Sequence, residues 1–309
     1  MLTVTAESPP LRITLGVDGA FEPGLPVLAG EAVENLFGPA RFAGRLGDVT
    51  LFQTDCWLLG AATVPLTGGL QVAAQQLYGD IFKTTRGLHL ARIWNYVPAI
   101  NGTAPGGLEN YRAFCQGRSL AFEQHFGCGF NARLPSASAV GCGPGALTVV
   151  FAASHVRPRH VENPLQVAAY DYPAAYGPRA PSFARATVVR GSEHATVFIS
   201  GTAAIRGHAT VAPLSTGSQL ECTLENLDEI GRACGLGPGL DAGGDSERHF
   251  KLYVRHAADQ PLVAGILEER LLVNTDRVSY LRADICRASL LVEVDATIFG
   301  TNPSVRERR

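Results

Sequence analysis

Near the C-terminal end of this 309-residue chain, in RADICRASLLVEVDA (282–296), a single glutamate, Glu293, interrupts an apolar run. Glutamate is depleted in strands, and an ionised carboxylate on a core-facing strand is costly unless it is paired or keeps its proton. Among Leu and Val neighbours the acid would titrate late, so it could hold a proton at neutral pH and deliver it to a substrate. The same pattern also fits a glutamate on the wet face of an antiparallel sheet. Arg282, Asp284 and Cys286 alternate on one side of an expected strand, and Leu291, Glu293 and Asp295 on one side of the next. If those two strands are neighbours, Cys286 and Glu293 share a pocket.

A second chemical signal lies in GLENYRAFCQGRSLAFEQHFG (107–127). At about 100° per residue, Tyr111, Cys115, Phe122 and Phe126 fall within roughly 60° of one another, and Arg118 falls on the same arc. A guanidinium directed to an apolar face can grip a ligand carboxylate in a bidentate fork, or it can snorkel to the edge or pair with an internal acid. Arg112, on the flank, is a second anion contact or a solvated side chain. The stiff segment YDYPAAYGPRAPSF (170–183) offers Tyr170 and Arg179 among three tyrosines and three prolines. It suits an anionic ligand, and equally a linker.

Other chemistries lack their motifs. The eight histidines include no H-E-x-x-H, and none has Cys or carboxylate companions at zinc-finger spacing, so no metal or other cofactor is expected. There is no G-x-S-x-G elbow, and GCGPGAL (141–147) lacks the G-K-[ST] ending of a phosphate loop and reads as a turn. With net charge −2, and Lys and Arg gathered only in the tail Arg306, Glu307, Arg308, Arg309, a nucleic-acid or anionic-membrane surface is not expected. A small molecule is the expected partner. No apolar run is long enough to span a bilayer, MLTVTAESPPLRITL lacks the features of an export signal, and the seven cysteines contain no C-x-x-C pair. Reduced thiols packed as small apolar groups in a cytoplasmic protein are the expectation.

These residues need a frame. Apolar segments at 11–17, 49–52, 88–94, 147–153, 186–189, 195–200, 250–254, 277–283 and 290–298 read as strands, and 69–85, 107–126, 217–234 and 260–270 as helices. The mixture makes an α/β or α+β protein. In the third helix Thr216 and Gln219 suit a capping box, Leu220, Leu224, Leu227 and Ile230 form a stripe, and Gly235 supplies the stop. Asp259 is the expected N-cap of the fourth, with Pro261 in its first turn. A boundary near 155–165 divides an N-terminal α/β domain (1–160) from a C-terminal one (161–309), and the length suits a monomer whose single chain builds both sides of its site.

Several strings carry a resemblance. FISGTAAI (198–205), the helix LECTLENLDEIGRACG (220–235), HFKLYVRH and YLRADICRASLLVEVDA (280–296) resemble the Rid (YjgF-like) superfamily, whose Arg-x-x-x-Cys is followed by V-E-x-x-A. RIWNYVPAINGTAPGGLENYRAFCQGR (92–118), LPSASAVG (134–141), VENPLQVAAYDYPAAYGPRAPSFARA (161–186) and ISGTAAIRGH (199–208) are similar to chorismatases. The resemblance implies a Rid-like C-terminal domain with a related N-terminal half, and cleavage of the enolpyruvyl ether of chorismate. By motif position it makes Glu293 the acid that protonates the terminal methylene. It leaves Arg118, Arg112 and Arg179, with Tyr111 and Tyr170 as hydroxyl donors, as candidates for binding the dianion. Gly201 in SGTA and Cys286, seven residues before Glu293, match the type that yields 3-hydroxybenzoate and pyruvate without net water. The hydrolytic type, giving a dihydroxycyclohexadiene carboxylate, is the runner-up. A type that also releases 4-hydroxybenzoate is a third alternative, and a deaminase or a non-catalytic binding protein of the same fold are the rivals.

Overall fold

In the computed structural model, the structure describes residues 8–16, 19–104, 106–211, 215–243 and 246–301, so Val17 and the Arg306–Arg309 tail lie outside the described residues. The chain opens with strands β1 (Arg12–Gly16), β2 (Gly19–Phe21), β3 (Val27–Gly30) and β4 (Val33–Glu34). It continues through β5 (Arg41–Leu46), β6 (Val49–Gln53), β7 (Leu58–Pro65), α1 (Leu70–Thr84), β8 (His89–Pro98), α2 (Asn110–Phe126), β9 (Ser136–Cys142) and β10 (Ala146–Ser154). After β11 (Arg159–Val161) come β12 (Ala186–Arg190), β13 (His194–Ala203), a small ribbon of β14 (Ile205–Arg206) and β15 (Ala209–Thr210), and α3 (Thr216–Cys234). The last elements are β16 (Glu247–Val254), α4 (Gln260–Arg270), β17 (Arg277–Arg282) and β18 (Val292–Thr301).

Two large sheets dominate. One has the order β5-β6-β7-β10-β8-β9 and the other β11-β12-β13-β18-β16-β17-β3, so a strand from the N-terminal segment completes the edge of the C-terminal sheet. Period-two alternation explains the layering. On β10, Leu147, Val149, Phe151 and Ala153 pack with α1 and α2, while Val150 and Ala152 turn to the other sheet. On β18, Val292, Val294, Ala296 and Ile298 pack with Leu220, Leu224, Leu227 and Ile230 of α3. The alternate residues Glu293, Asp295 and Thr297 are buried on the opposite face. The helices therefore cover the outer faces, and a third core containing Trp94, Tyr96, Phe198 and Tyr253 lies between the sheets.

Local details differ from expectation in four places. The N-cap of α3 is Ser215, whose Oγ accepts from the Ser218 amide at 3.3 Å. Thr216 instead donates its hydroxyl to Asp259 at 2.7 Å, and Gln219 accepts from the Leu291 amide and donates to the Ser289 carbonyl, both at 2.8 Å. The intended capping-box residues thus stitch α3 to its neighbours, because those long-range amides and carbonyls lack strand partners. Asp259 does occupy the N-cap position of α4, but its carboxylate makes no capping bond there. Strands β17 and β18 are not adjacent, because β16 lies between them, parallel to β17 and antiparallel to β18. Finally, the cysteines are not uniformly packed: Cys115, Cys222 and Cys234 are buried, whereas Cys56 and Cys128 are exposed.

Candidate active site

Glu293 sits in the middle of its sheet, with Ala203 of β13 opposite it on one side and Tyr253 of β16 on the other. Its side chain is 3% exposed, and Oε1 has no hydrogen-bond partner. The wet-face reading is therefore excluded. Burial pushes its carboxyl up to about 8, and Asp295, two residues along the same face, pushes in the same direction against the opposing charges of Arg92 and Arg185. Asp295 is itself held by Arg92 at 2.8 Å and by the Tyr253 hydroxyl at 2.9 Å, whereas Glu293, with no partner on Oε1, keeps its proton.

Gly201 makes room for this acid. Ile199 pairs with Ala296 and Thr202 with Val294, so β13 carries one extra residue in the intervening stretch, a bulge at Ser200–Gly201. A Cβ on residue 201 would stand 2.1 Å from Glu293 Oε1 and 2.6 Å from its carboxyl carbon. Glycine is required there by a close approach, a recognised use of glycine inside a strand. Ser200 fixes the bulge by donating to the Ala184 carbonyl at 2.6 Å and accepting from the Ala137 amide at 2.8 Å.

Cys286 reaches the same place from a loop rather than from a neighbouring strand. The loop between β17 and β18 is clamped by Arg255, which donates to Asp284 at 2.9 Å, to Asn101 Oδ1 at 3.1 Å and to the carbonyls of Arg287 and Leu290 at 3.0 and 2.7 Å. Asn101 closes the clamp on the Ile285 carbonyl at 3.0 Å. Burial, then the nearby Glu293, drives the Cys286 thiol up to about 12, so it stays a neutral thiol. Cys115 of α2 lies near it, and Tyr111, its own hydroxyl driven well above the ordinary value by burial, lies near both.

Arg118 faces this group from α2. It is 1% exposed, stacks over Phe114 at 4.9 Å and Phe183 at 6.0 Å, and leaves Nε and Nη2 without hydrogen-bond partners. Among the described residues it takes part in no ion pair, so the internal-acid reading of this arginine does not hold. A buried guanidinium with free donors is costly unless an anion meets it. The other candidates stand apart from this set. Arg112 is paired with Glu109 at 3.2 Å on the half-exposed side of the helix, and Arg179 with Glu123 at 2.5 Å and Ser119 at 3.2 Å. Tyr170 is half-buried against the first core.

Two residues here escaped sequence reading. Arg185, 6% exposed, donates to Tyr172 Oη at 2.8 Å and the Val167 carbonyl at 3.1 Å, stacks on Phe183 at 5.2 Å, keeps an unpartnered Nε and lies close enough to Glu293 to oppose its protonation. Arg92, fully buried on β8, holds Asp295. Their signal is an arginine inside an apolar strand, HLARIWN, or immediately before one, SFARATVV, where a guanidinium needs a partner. Among the described residues no group of three or more His, Cys, Asp or Glu side chains is placed to hold a metal ion, and no helix is long and apolar enough to cross a membrane.

A buried acid, a glycine that admits it, a neutral thiol and two arginines with spare donors are an arrangement that can meet an anion and hand it a proton. Residues 38–153 match the family model described as chorismatase FkbO/Hyg5-like, N-terminal. A chorismatase of Streptomyces hygroscopicus is 39% identical over 83% of this chain and 76% of its own length. A 3-hydroxybenzoate synthase of the same species is 36% identical over 82% and 77%. A solved chorismatase crystal structure superposes with a TM-score of 0.75 at 35% identity, covering 84% of this chain and 79% of that one. With relatives this similar over most of its length and the same architecture in a solved member, the chain is an enzyme of the chorismatase family.

Proposed function

We propose that this enzyme cleaves chorismate to pyruvate and 3-hydroxybenzoate, with Glu293 as the acid. The observation that carries the reading is the unpartnered Oε1 of a carboxyl held near pKa 8 against Gly201. At pH 7 such a group is about nine-tenths protonated. An enol ether is broken by protonating its terminal carbon, which makes an oxocarbenium ion and lets the ring C–O bond part as pyruvate leaves. The proton donor must therefore be neutral before the step and negative after it, beside the developing cation.

Arg118 and Arg185, on opposite elements and each with a free donor, supply the two anion contacts that a dicarboxylate needs. Tyr111 offers a hydroxyl on the Arg118 side. Arg112 and Arg179, committed to Glu109 and Glu123, take a lesser part in this reading. The atoms of chorismate already sum to the two products, so no water is consumed and the substrate's 4-hydroxyl acts in its place. Cys286, a neutral thiol beside Glu293, fills the space where a water would otherwise approach. The 3-hydroxybenzoate synthase relative supports this product, and so do Gly201 and Cys286 at the two positions that mark that type.

Chromatography of the products formed from chorismate in ¹⁸O-water tests the proposal. The expected result is equimolar pyruvate and 3-hydroxybenzoate, with no label in the phenolic oxygen. A dihydroxycyclohexadiene carboxylate in its place, with the solvent oxygen carried by pyruvate and not by the ring, would establish the hydrolytic type.

A further inference from the structure

A cavity of about 810 Å³, whose lining does not include Glu293, lies at the C-terminal ends of α1 and α2. Its walls hold Arg86, Arg133 and Arg157, together with His89, His125 and His160. Among the described residues none of the three arginines is in an ion pair. The lining acid, Glu162, is pushed up to about 7 by burial, with Arg185 opposing, and its Oε2 has no hydrogen-bond partner. Burial first, then the neighbouring arginines, lowers His89 and His125, and burial drives His160 down to about 4. The histidines are thus neutral hydrogen-bonding groups, and the fixed charge of the cavity is the three guanidinium groups against a half-titrated acid.

The floor is apolar and aromatic. Phe82 stacks on His125 at 5.0 Å, Phe126 lies under Arg133 at 5.4 Å, and Leu88, Leu90 and Ala184 complete the lining. A volume in the range of small-ligand sites, with ring faces below and unpaired guanidinium groups at the rim, selects a flat carboxylate over a bare inorganic anion.

We infer that this cavity is a second binding site, separate from the Glu293 pocket, for an aromatic carboxylate. The Glu293 pocket and the cavity are at neighbouring stations of one segment, since Phe183 and Arg185 face the former and Ala184 lines the latter. An anion in the cavity therefore has a short covalent route to Arg185, the arginine proposed to hold substrate.

Calorimetric titration of the full-length protein with 3-hydroxybenzoate at low ionic strength tests this without depending on turnover. The wild type should bind two equivalents. Arg133→Ser/Arg157→Ser, at two exposed positions, should lose one of them by more than tenfold in Kd while retaining chorismate turnover, since each charge-assisted contact is worth about tenfold or more. Arg118→Met should lose the other. Inorganic phosphate should bind the cavity at least tenfold more weakly than 3-hydroxybenzoate. An isotherm unchanged in the double variant, whether of one equivalent or two, or equal binding of phosphate would each overturn the inference; a single equivalent that the double variant loses and Arg118→Met keeps would uphold it and count instead against product binding at Glu293, on which the second equivalent rests. A rim that only steers substrate would give one equivalent and a salt-dependent kcat/KM.

Discussion

Replacing Gly201 with alanine is the most direct probe of how the acid is held. The new methyl would stand 2.1 Å from Glu293 Oε1, whereas ordinary contact begins at 3.4 Å, so the carboxyl must retreat by more than 1 Å. The strand carrying it has no freedom to move, because β18 is hydrogen-bonded on both sides, to β13 and to β16. The shift must come from side-chain torsions, at a cost of about 1–3 kcal/mol for overpacking a filled interior. A misplacement of about 1 Å in a catalytic group costs on the order of a hundredfold in rate. The expected outcome is a kcat for pyruvate release about a hundredfold lower, read by coupling to lactate dehydrogenase, with KM changed by much less and a modest fall in Tm. Product chromatography on the same preparation should show a smaller share of 3-hydroxybenzoate. A folded Gly201→Ala protein with near wild-type kcat and product ratio would refute the reasoning, because it would mean that Glu293 has room to spare.

Glu293→Gln keeps the size of the side chain and removes its proton, so pyruvate release should fall by about two to four powers of ten. In the wild type, kcat/KM should decline as pH rises through about 8, where the acid form disappears, and a flat profile to pH 9.5 would exclude Glu293 as the donor. Stability follows the same group: its folded pKa lies above the unfolded value, so the native state binds the extra proton and stability drops as pH climbs from about 4.5 to about 8. Glu293→Gln has no proton to lose, and its Tm should exceed that of the wild type at pH 9 but not at pH 5. Cys286→Ala opens space beside the acid and should divert product to the dihydroxycyclohexadiene carboxylate, detected by chromatography. Arg118→Met should raise KM by about tenfold or more, with a smaller effect on kcat, measured from initial rates.

The helices and most long strands were legible because their signals are local. The expected helix at 69–85 is α1 at 70–84, and the expected one at 260–270 coincides with α4. The apolar stripe Leu220, Leu224, Leu227 and Ile230 is the buried face of α3, as its spacing requires. What pattern could not give was order between strands. Nothing in residues 277–298 announces that β16 separates β17 from β18, so Cys286 was brought to Glu293 for the wrong reason. The bulge at Gly201, the isolation of Arg118 and the burial of Glu293 depend on contacts between segments roughly forty to a hundred residues apart, which alternation along one strand cannot report. The arginines were the hardest to sort. Arg118, Arg112 and Arg179 read alike in sequence, and only the nearby Glu109 and Glu123 separate the paired ones from the free one. Arg185 gave no such signal, because a lone arginine just ahead of a β-branched strand reads as a loop residue.

The strand β3, which lies beside β17 in the register Ser279 to Gly30, joins two stretches nearly the whole chain apart. On a ribosome adding about 5–20 residues per second, the first of these waits roughly ten to fifty seconds for its companion to be made. During that wait its open backbone edge can be taken by any other extended chain. The wait ends when β17 emerges, so slowing synthesis anywhere between the two strands should lower the yield of native enzyme more than slowing it before β3 or after β17.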